Sequence, residues 1–395
     1  MDSLTRKKYI IYGILGVAAL ILIAFLVYRI LPSGQPTVSQ GQPGVSGRPT
    51  GGKAGGGTGP APGAPPGATT TPPLPSVEQQ RLVRLTDFAV ISPVLNKDQT
   101  AALFYKKDGG DLFSVGLRGG EPQKIARVTV VGLINAVWSP TKDRAAVFYI
   151  SDQSIKGFLH LSTSSIAVLP ELITSFAWSP DGKSLAYTLI QDKLLHLVIA
   201  DSSGKNPKTI LQTPLADAQM SWVSADKIAL QTAPSGFAEG YLFAYSRNKN
   251  TLTRIAGPRY GLESRWSPDA SVVLLSETKN GGRYGSVSVY DPTKKASQTI
   301  DIATLAEKCA WTDATTLYCA VPRDIPASIT LPDDYLRGEF NPQDRIVQID
   351  VKQNSITPVF DEGEFDINDL AVTKDKNFLL FVSRTDGTLW SLKLK

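Results

Sequence analysis

The sequence predicts an all-β fold: a seven-bladed β-propeller of four-stranded blades, preceded by one transmembrane helix and a disordered linker. Three observations carry this. A hairpin phrase, most complete as FAWSPDGKSLAYTLI at 176–190, returns along the chain. Its anchor position recurs at Ile91, Trp138, Trp178, Trp222, Trp266, Trp311 and Val372, at spacings of 47, 40, 44, 44, 45 and 61 residues. Most of these fall in or near the 40–45-residue period of propeller blades. Ahead of the repeats, an uncharged apolar run is followed by a tract rich in Gly and Pro.

In chain order, residues 1–8 are expected to be a cytoplasmic N-terminus and 9–30 a transmembrane helix. The stretch 9–28 carries no charge, and twenty helical residues span about 30 Å, the thickness of a bilayer core. Arg6, Lys7 and Lys8 precede it, so the positive-inside rule leaves the rest of the chain outside the cytoplasm. A cleaved signal peptide is the rival reading. The apolar run is long for one, and no small-residue cleavage site follows closely. Residues 31–77 form the linker. Within 32–76 there are 12 Gly and 11 Pro, a composition that cannot bury enough apolar area to offset its ordering entropy. A flexible chain of that length reaches roughly 35–40 Å. It serves as a tether, or as filler of no particular length.

Residues 78–395 are the propeller. After each anchor comes a turn such as Ser179-Pro180-Asp181-Gly182, which suits a type I turn with Pro at its second position and Gly at its fourth. Second strands follow (AALFY at 101–105 through FLLFV at 378–382), then third strands (DLFSVGL at 111–117 through TLWSLKL at 388–394). Fourth strands number six, and the seventh blade lacks one. Leu82–Thr86, LVRLT, is expected to supply it by pairing with the last blade, closing the ring and protecting the edges. Runs such as LLHLVIA fit strands buried on both faces. A sandwich gives no reason for one phrase to repeat seven times.

The Trp-Ser-Pro-Asp-Gly phrase with its Leu-Ala-Tyr strand resembles the repeat of the TolB-like propeller family, a repeat type also found in tricorn and dipeptidyl-peptidase-IV-like proteases. The resemblance covers residues 77–395. It is complete at Trp178, near-complete at Trp138 and Trp266, and degraded elsewhere. The Cys309–Cys319 hairpin with its proline-containing sequel also resembles membrane-anchored propeller proteins of candidate-phylum bacteria.

Charge excludes one class of partner. Six of the 41 basic and one of the 36 acidic side chains precede residue 77, leaving 35 of each in the repeats. A neutral domain lacks the basic footprint of a nucleic-acid binder. Two Cys and two His are too few for a Cys/His zinc site, and no cofactor is expected. If the hairpin turns about Ala314, Cys309 faces Cys319 and Trp311 faces Leu317, within reach of a disulfide. Two buried thiols and a catalytic pair are the alternatives.

The 61-residue gap holds an insertion of roughly 16 residues beyond the usual repeat length, within VPRDIPASITLPDDYLRGEFNPQD (321–344). Arg323, Tyr335, Arg337 and Phe340 on a proline-stiffened loop suit a partner-binding patch. A lid packed on its own blade is the competing reading. In the acidic run 361–369, Asp361, Glu364 and Asp366 are weak candidates for a calcium ion, against a solvated surface loop. No Gly-x-Ser-x-Gly elbow occurs, and His160 and His196 lie on apolar third strands that suit structural histidines.

The expected function is a non-enzymatic protein-interaction or scaffold module of the cell envelope. It would be held at the membrane by one helix, with an envelope protein as partner. The alternative is an extracytoplasmic hydrolase or lactonase working at the channel mouth. Converging, perturbed carboxylates there would favour the enzyme, and exposed aromatics at Tyr335 and Phe340 the binder.

Overall fold

The computed structural model describes residues 80–395 apart from 163, 164 and 216. The N-terminus expected at 1–8, the helix at 9–30 and the whole linker at 31–77 lie outside the described residues, together with residues 78 and 79. Among the described residues no helix is long and apolar enough to cross a membrane.

The described chain is a β-propeller of antiparallel sheets. The first sheet runs Val90–Leu95, Ala101–Lys106, Leu112–Gly116 and Gln123–Ala126. The second runs Leu133–Trp138, Ala145–Ser151, Ser154–Ser162 and Ser165–Val168, and the third Ile173–Trp178, Ser184–Gln191, Leu194–Asp201 and Lys208–Thr213. A seven-stranded sheet follows, from Gln219–Trp222 to Ala296–Ile300. Its middle strand, Thr251–Trp266, pairs through its first half with Glu239–Ser246 and through its second with Val273–Lys279. The fifth sheet runs Cys309–Trp311, Thr316–Pro322, Asp344–Asp350 and Ser355–Phe360. The last joins Ile367–Val372, Phe378–Ser383 and Leu389–Lys393 to Leu82–Arg84.

That final pairing joins the two ends of the repeat region. Leu82, Val83 and Arg84 lie opposite Leu392, Ser391 and Trp390. Leu85 N–H donates to the Leu389 carbonyl at 2.8 Å and Lys393 N–H to the Arg81 carbonyl at 2.7 Å. Sheets then pack face to face around a ring. Trp178 and Tyr187 of the third sheet meet Phe148 and Leu159 of the second. Phe104 of the first meets Leu380 and Leu389 of the last, with Val83 and Leu85 in the same cluster. Burial of both faces accounts for the continuous apolar strands.

The anchors tie neighbouring sheets together. Trp138 Nε1 donates to the Ser92 carbonyl at 2.8 Å, Trp178 Nε1 to the Val137 carbonyl at 2.8 Å, and Trp311 Nε1 to the Arg265 carbonyl at 3.0 Å. Each acceptor lies beside the previous anchor. Trp222 and Trp266 bury their indole N–H without such a partner, and Ile91 and Val372 have none to offer.

The turn phrase is a hydrogen-bonded unit. Ser179 Oγ donates to Asp181 Oδ1 at 2.7 Å and accepts from Ser184 N–H at 2.9 Å, and Gly182 N–H donates to the Ser179 carbonyl. Ser267 with Asp269 and Thr373 with Asp375 repeat the first bond. The fourth turn residue adopts positive φ: +70° at Gly182 and +62° at Ala270. A Cβ on Gly182 would meet no atom nearer than 3.7 Å, so only backbone conformation opposes it. Gly182→Ala is expected to cost about 1 kcal/mol, and Ala270→Gly to recover a similar amount, read as denaturant midpoints. Unchanged midpoints would contradict this account.

Cys309 and Cys319 form a disulfide, with Cα atoms 4.0 Å apart and Trp311 opposite Leu317. His160 accepts or donates a 2.8 Å hydrogen bond at Nδ1 with the buried Tyr105 hydroxyl. His196 is half-buried between Leu189 and Gln212 of its neighbouring strands.

Candidate functional site

The insertion folds over one end of the ring. Its only helical structure is a single turn, Asp333–Leu336. Asp333 accepts from Ser235 Oγ at 2.8 Å and from Gly236 N–H at 2.7 Å. Leu331 N–H donates to the Gly282 carbonyl at 3.0 Å, and Arg384 Nη2 to the Tyr335 carbonyl at 2.7 Å. These contacts reach the seven-stranded sheet on one side and the last sheet on the other. The approach is close: a Cβ on Gly236 would stand 2.4 Å from Gly282 Cα and 2.6 Å from the Leu331 carbonyl oxygen. The insertion is a lid spanning neighbouring sheets, a wider span than its own blade.

This corrects the expected binding patch. Tyr335 is 3% and Phe340 9% exposed, and both pack with Leu305, Leu331, Ile325 and Ile329. Their area is already spent inside the fold. Arg337 is exposed and paired with Asp334 and Glu339, and Arg323 with Asp361 and the Gly363 carbonyl. The calcium candidates do not converge. Asp361 faces Arg323, Glu364 is exposed, and Asp366 is buried on a lysine. Among the described residues no three His, Cys, Asp or Glu side chains are grouped to hold a metal ion.

Under the lid lies a charge cluster that sequence reasoning missed. Lys308 is buried with its ammonium 2.7 Å from both Asp344 and Asp366, and 4.5 Å from the centre of the Tyr335 ring. Arg384 covers the same ring and lies 3.5 Å from Asp366. Burial pushes Asp344 up to about 6, with Lys308 pulling it back, and holds the Tyr335 phenol well above its ordinary range.

Beside this cluster is a cavity of about 370 Å³ lined by strands of the seven-stranded sheet and of the last sheet. Gln219, Gln231, Glu263, Arg265, Glu307 and Asp369 are among its lining residues. Glu263 is 5% exposed. Its Oε2 accepts from Glu307 N–H at 3.4 Å, while Oε1 is buried with no hydrogen-bond partner. Burial, reinforced by the charge of Glu307, pushes Glu263 up to about 8. Burial also raises Glu307, against the pull of Lys308, Arg384 and Arg265. Asp369 opens onto the cavity, and its low-dielectric surroundings still raise it, opposed by Arg265. Arg265 Nη1 donates to the Glu307 carbonyl at 2.8 Å. A carboxyl kept neutral near pH 7 can donate or accept a proton. Glu263, Glu307 and Asp369 are far apart in sequence, and no motif marked them.

A second feature lies on the rim. Of the eleven large apolar residues exposed among the described ones, eight fall at 125–172. Val168 is 84%, Val131 82%, Leu172 71% and Ile166 63% exposed. Cavities of about 650 and 400 Å³, lined by side chains such as Val130, Ile150 and Ile166 in one and Ile134, Ile155 and Ile173 in the other, flank the second sheet. Exposed apolar side chains are thus concentrated in one stretch of the chain.

No known family and no curated protein matches this chain. Solved structures do. Oligogalacturonate lyase from Vibrio parahaemolyticus is 13% identical, with a TM-score of 0.57, over 80% of this chain and 93% of that one. The tricorn protease is 11% identical with a TM-score of 0.51, over 80% of this chain and 34% of that one. TolB from Acinetobacter baumannii is 15% identical with a TM-score of 0.47, over 71% of this chain and 66% of its own length, just under two thirds. At these identities the likeness shows the fold alone. Nothing in it bears on the resemblance to candidate-phylum proteins.

Proposed function

We propose that this chain is a membrane-anchored, extracytoplasmic propeller of seven blades that works as a protein-interaction module of the cell envelope. The seven-stranded sheet is read as two blades sharing the strand Thr251–Trp266. The N-terminal helix holds the propeller at the membrane on the 31–77 tether, and no catalysis, cofactor or nucleic acid is involved. The partner is an extended apolar segment of an envelope protein. It adds as a strand to the edge Ser165–Val168.

The observation that carries this reading is the unprotected outer edge of the second sheet. Outer strands elsewhere are blunted as edge strands usually are. Gln123–Ala126 carries Lys124, Lys208–Thr213 carries Lys208, Thr251–Trp266 carries Arg254, and Ser355–Phe360 carries Pro358. Ala296–Ile300 is polar at three successive positions. Ser165–Val168, SIAV, has no charge and no proline, and Ile166 and Val168 stand in solvent. Strand addition draws affinity from main-chain hydrogen bonds and specificity from alternate side chains.

The test is capture from membranes of the source organism with the full chain as bait, beside Val168→Lys and a chain with 323–341 replaced by a short Gly-Ser turn. A protein held by the native chain, lost by at least tenfold with Val168→Lys and cross-linked at 165–168 supports the reading. Retention by Val168→Lys overturns the edge. A second reading, an extracytoplasmic hydrolase or lactonase, draws support from the raised carboxyls of Glu263 and Glu307 at the cavity. Turnover of ester or lactone substrates, abolished by Glu263→Gln, would replace the first reading with this one.

A further inference from the structure

The cavity under the lid holds more acid than its surroundings neutralise. Three carboxyl groups line it, those of Glu263, Glu307 and Asp369, against one guanidinium, that of Arg265. The nearby cations are committed elsewhere: Lys308 to Asp344 and Asp366, and Arg384 to Asp366 and the Tyr335 carbonyl. An acidic cluster alone would be no site. Here Glu263 Oε1, nineteen-twentieths buried and lining the cavity, has no partner. A buried carboxyl oxygen left unpaired costs free energy; a cation that donates to it removes that cost and favours the carboxyl's charged form. Gln219, Gln231 and Asn368 add amide groups to the same wall, and Leu336 from the lid adds an apolar one.

We infer that this cavity binds a primary ammonium group, with Glu263, Glu307 and Asp369 as its acceptors. An ammonium carries three donors on a compact charge and so matches three carboxyls brought from separate parts of the chain. A divalent cation is the competing ligand for these carboxyls, and calcium is therefore included in the test. From the lid, Leu336 lines the cavity and offers an apolar wall to the alkyl part of an amine. The inference is independent of whether the second sheet docks a partner.

Pentylamine and Nα-acetyl-lysine amide, titrated separately into the full chain in detergent and followed by calorimetry, test this. Pentanol is the uncharged control. Binding of either amine, with pentanol silent and affinity lowered at least tenfold by Glu263→Gln, supports the site. A preference for the lysine amide points to a peptide source, and a preference for pentylamine to a free amine. Glu263→Gln removes a buried group, so Asp369→Asn, at a position open to the cavity, is measured beside it with near-UV circular dichroism as a check on folding. Equal binding of pentanol and pentylamine overturns the inference. So does binding of neither amine, of calcium in their place, or of amines by folded variants at native affinity.

Discussion

Lys308→Met is expected to destabilise the propeller by about 3–5 kcal/mol, the usual cost of stranding buried charge. The lysine is the 2.7 Å partner of Asp344 and Asp366, and all three side chains are at most 1% exposed. Removing it leaves two carboxylates in a low-dielectric site, with Arg384 touching only one. The pH dependence separates this from a packing defect. Asp344 has its pKa raised from 3.8 to about 6 in the folded protein. The folded state therefore binds more protons than the unfolded one between about pH 4 and 6. For this group, stability rises as pH falls through that window and is lost as pH climbs through 6. Without Lys308, Asp344 holds its proton more tightly still. Denaturant melts of Lys308→Met should show a larger deficit at pH 8 than at pH 5. An equal deficit at both would show that the lysine acts through its aliphatic stem.

A chain beginning at Asp87 is expected to lose about 5 kcal/mol or more relative to one beginning at Gln80. The shorter chain lacks Leu82–Arg84 and Leu85. Val83 and Leu85 are buried between the first and last sheets, worth about 1.5–3 kcal/mol each. The main-chain bonds along the closing pair add about 1 kcal/mol apiece. That sum matches the whole stability of many domains, about 5–15 kcal/mol. The shorter chain should lose its cooperative melt and associate through the bare edge of Leu389–Lys393. Leu85→Ala, at about 2–5 kcal/mol, gives the graded version. Equal melting of the two long chains would show that the ring does not depend on the closing strand.

Strand order was legible in the sequence because each repeat buries both faces of short strands between punctuating turns. The closing strand was legible for a related reason: LVRLT at 82–86 resembles a fourth strand where one blade lacks its own. The facing of Cys309 and Cys319 followed from hairpin register alone. The insertion was visible as extra length, but the choice between a binding patch and a lid stayed open. Arg, Tyr and Phe on a proline-rich loop look the same in sequence whether they face solvent or fold inward. Tyr335 turned out to be the ceiling of a buried charge cluster. The exposed face around Ile166 and Val168 was equally hidden, since SIAV reads as any other apolar outer strand.

By itself the sequence determined the β class, the repeat, the hairpin turns and the pairing of first with last. These rest on local periodicity and on contacts at fixed offsets within a repeat. Only the tertiary structure decided which polar groups meet. Glu263, Glu307 and Asp369, and likewise Lys308, Asp344 and Asp366, come from separate parts of the chain and share no spacing. The curvature of the ring brings them together, and burial then sets their charge.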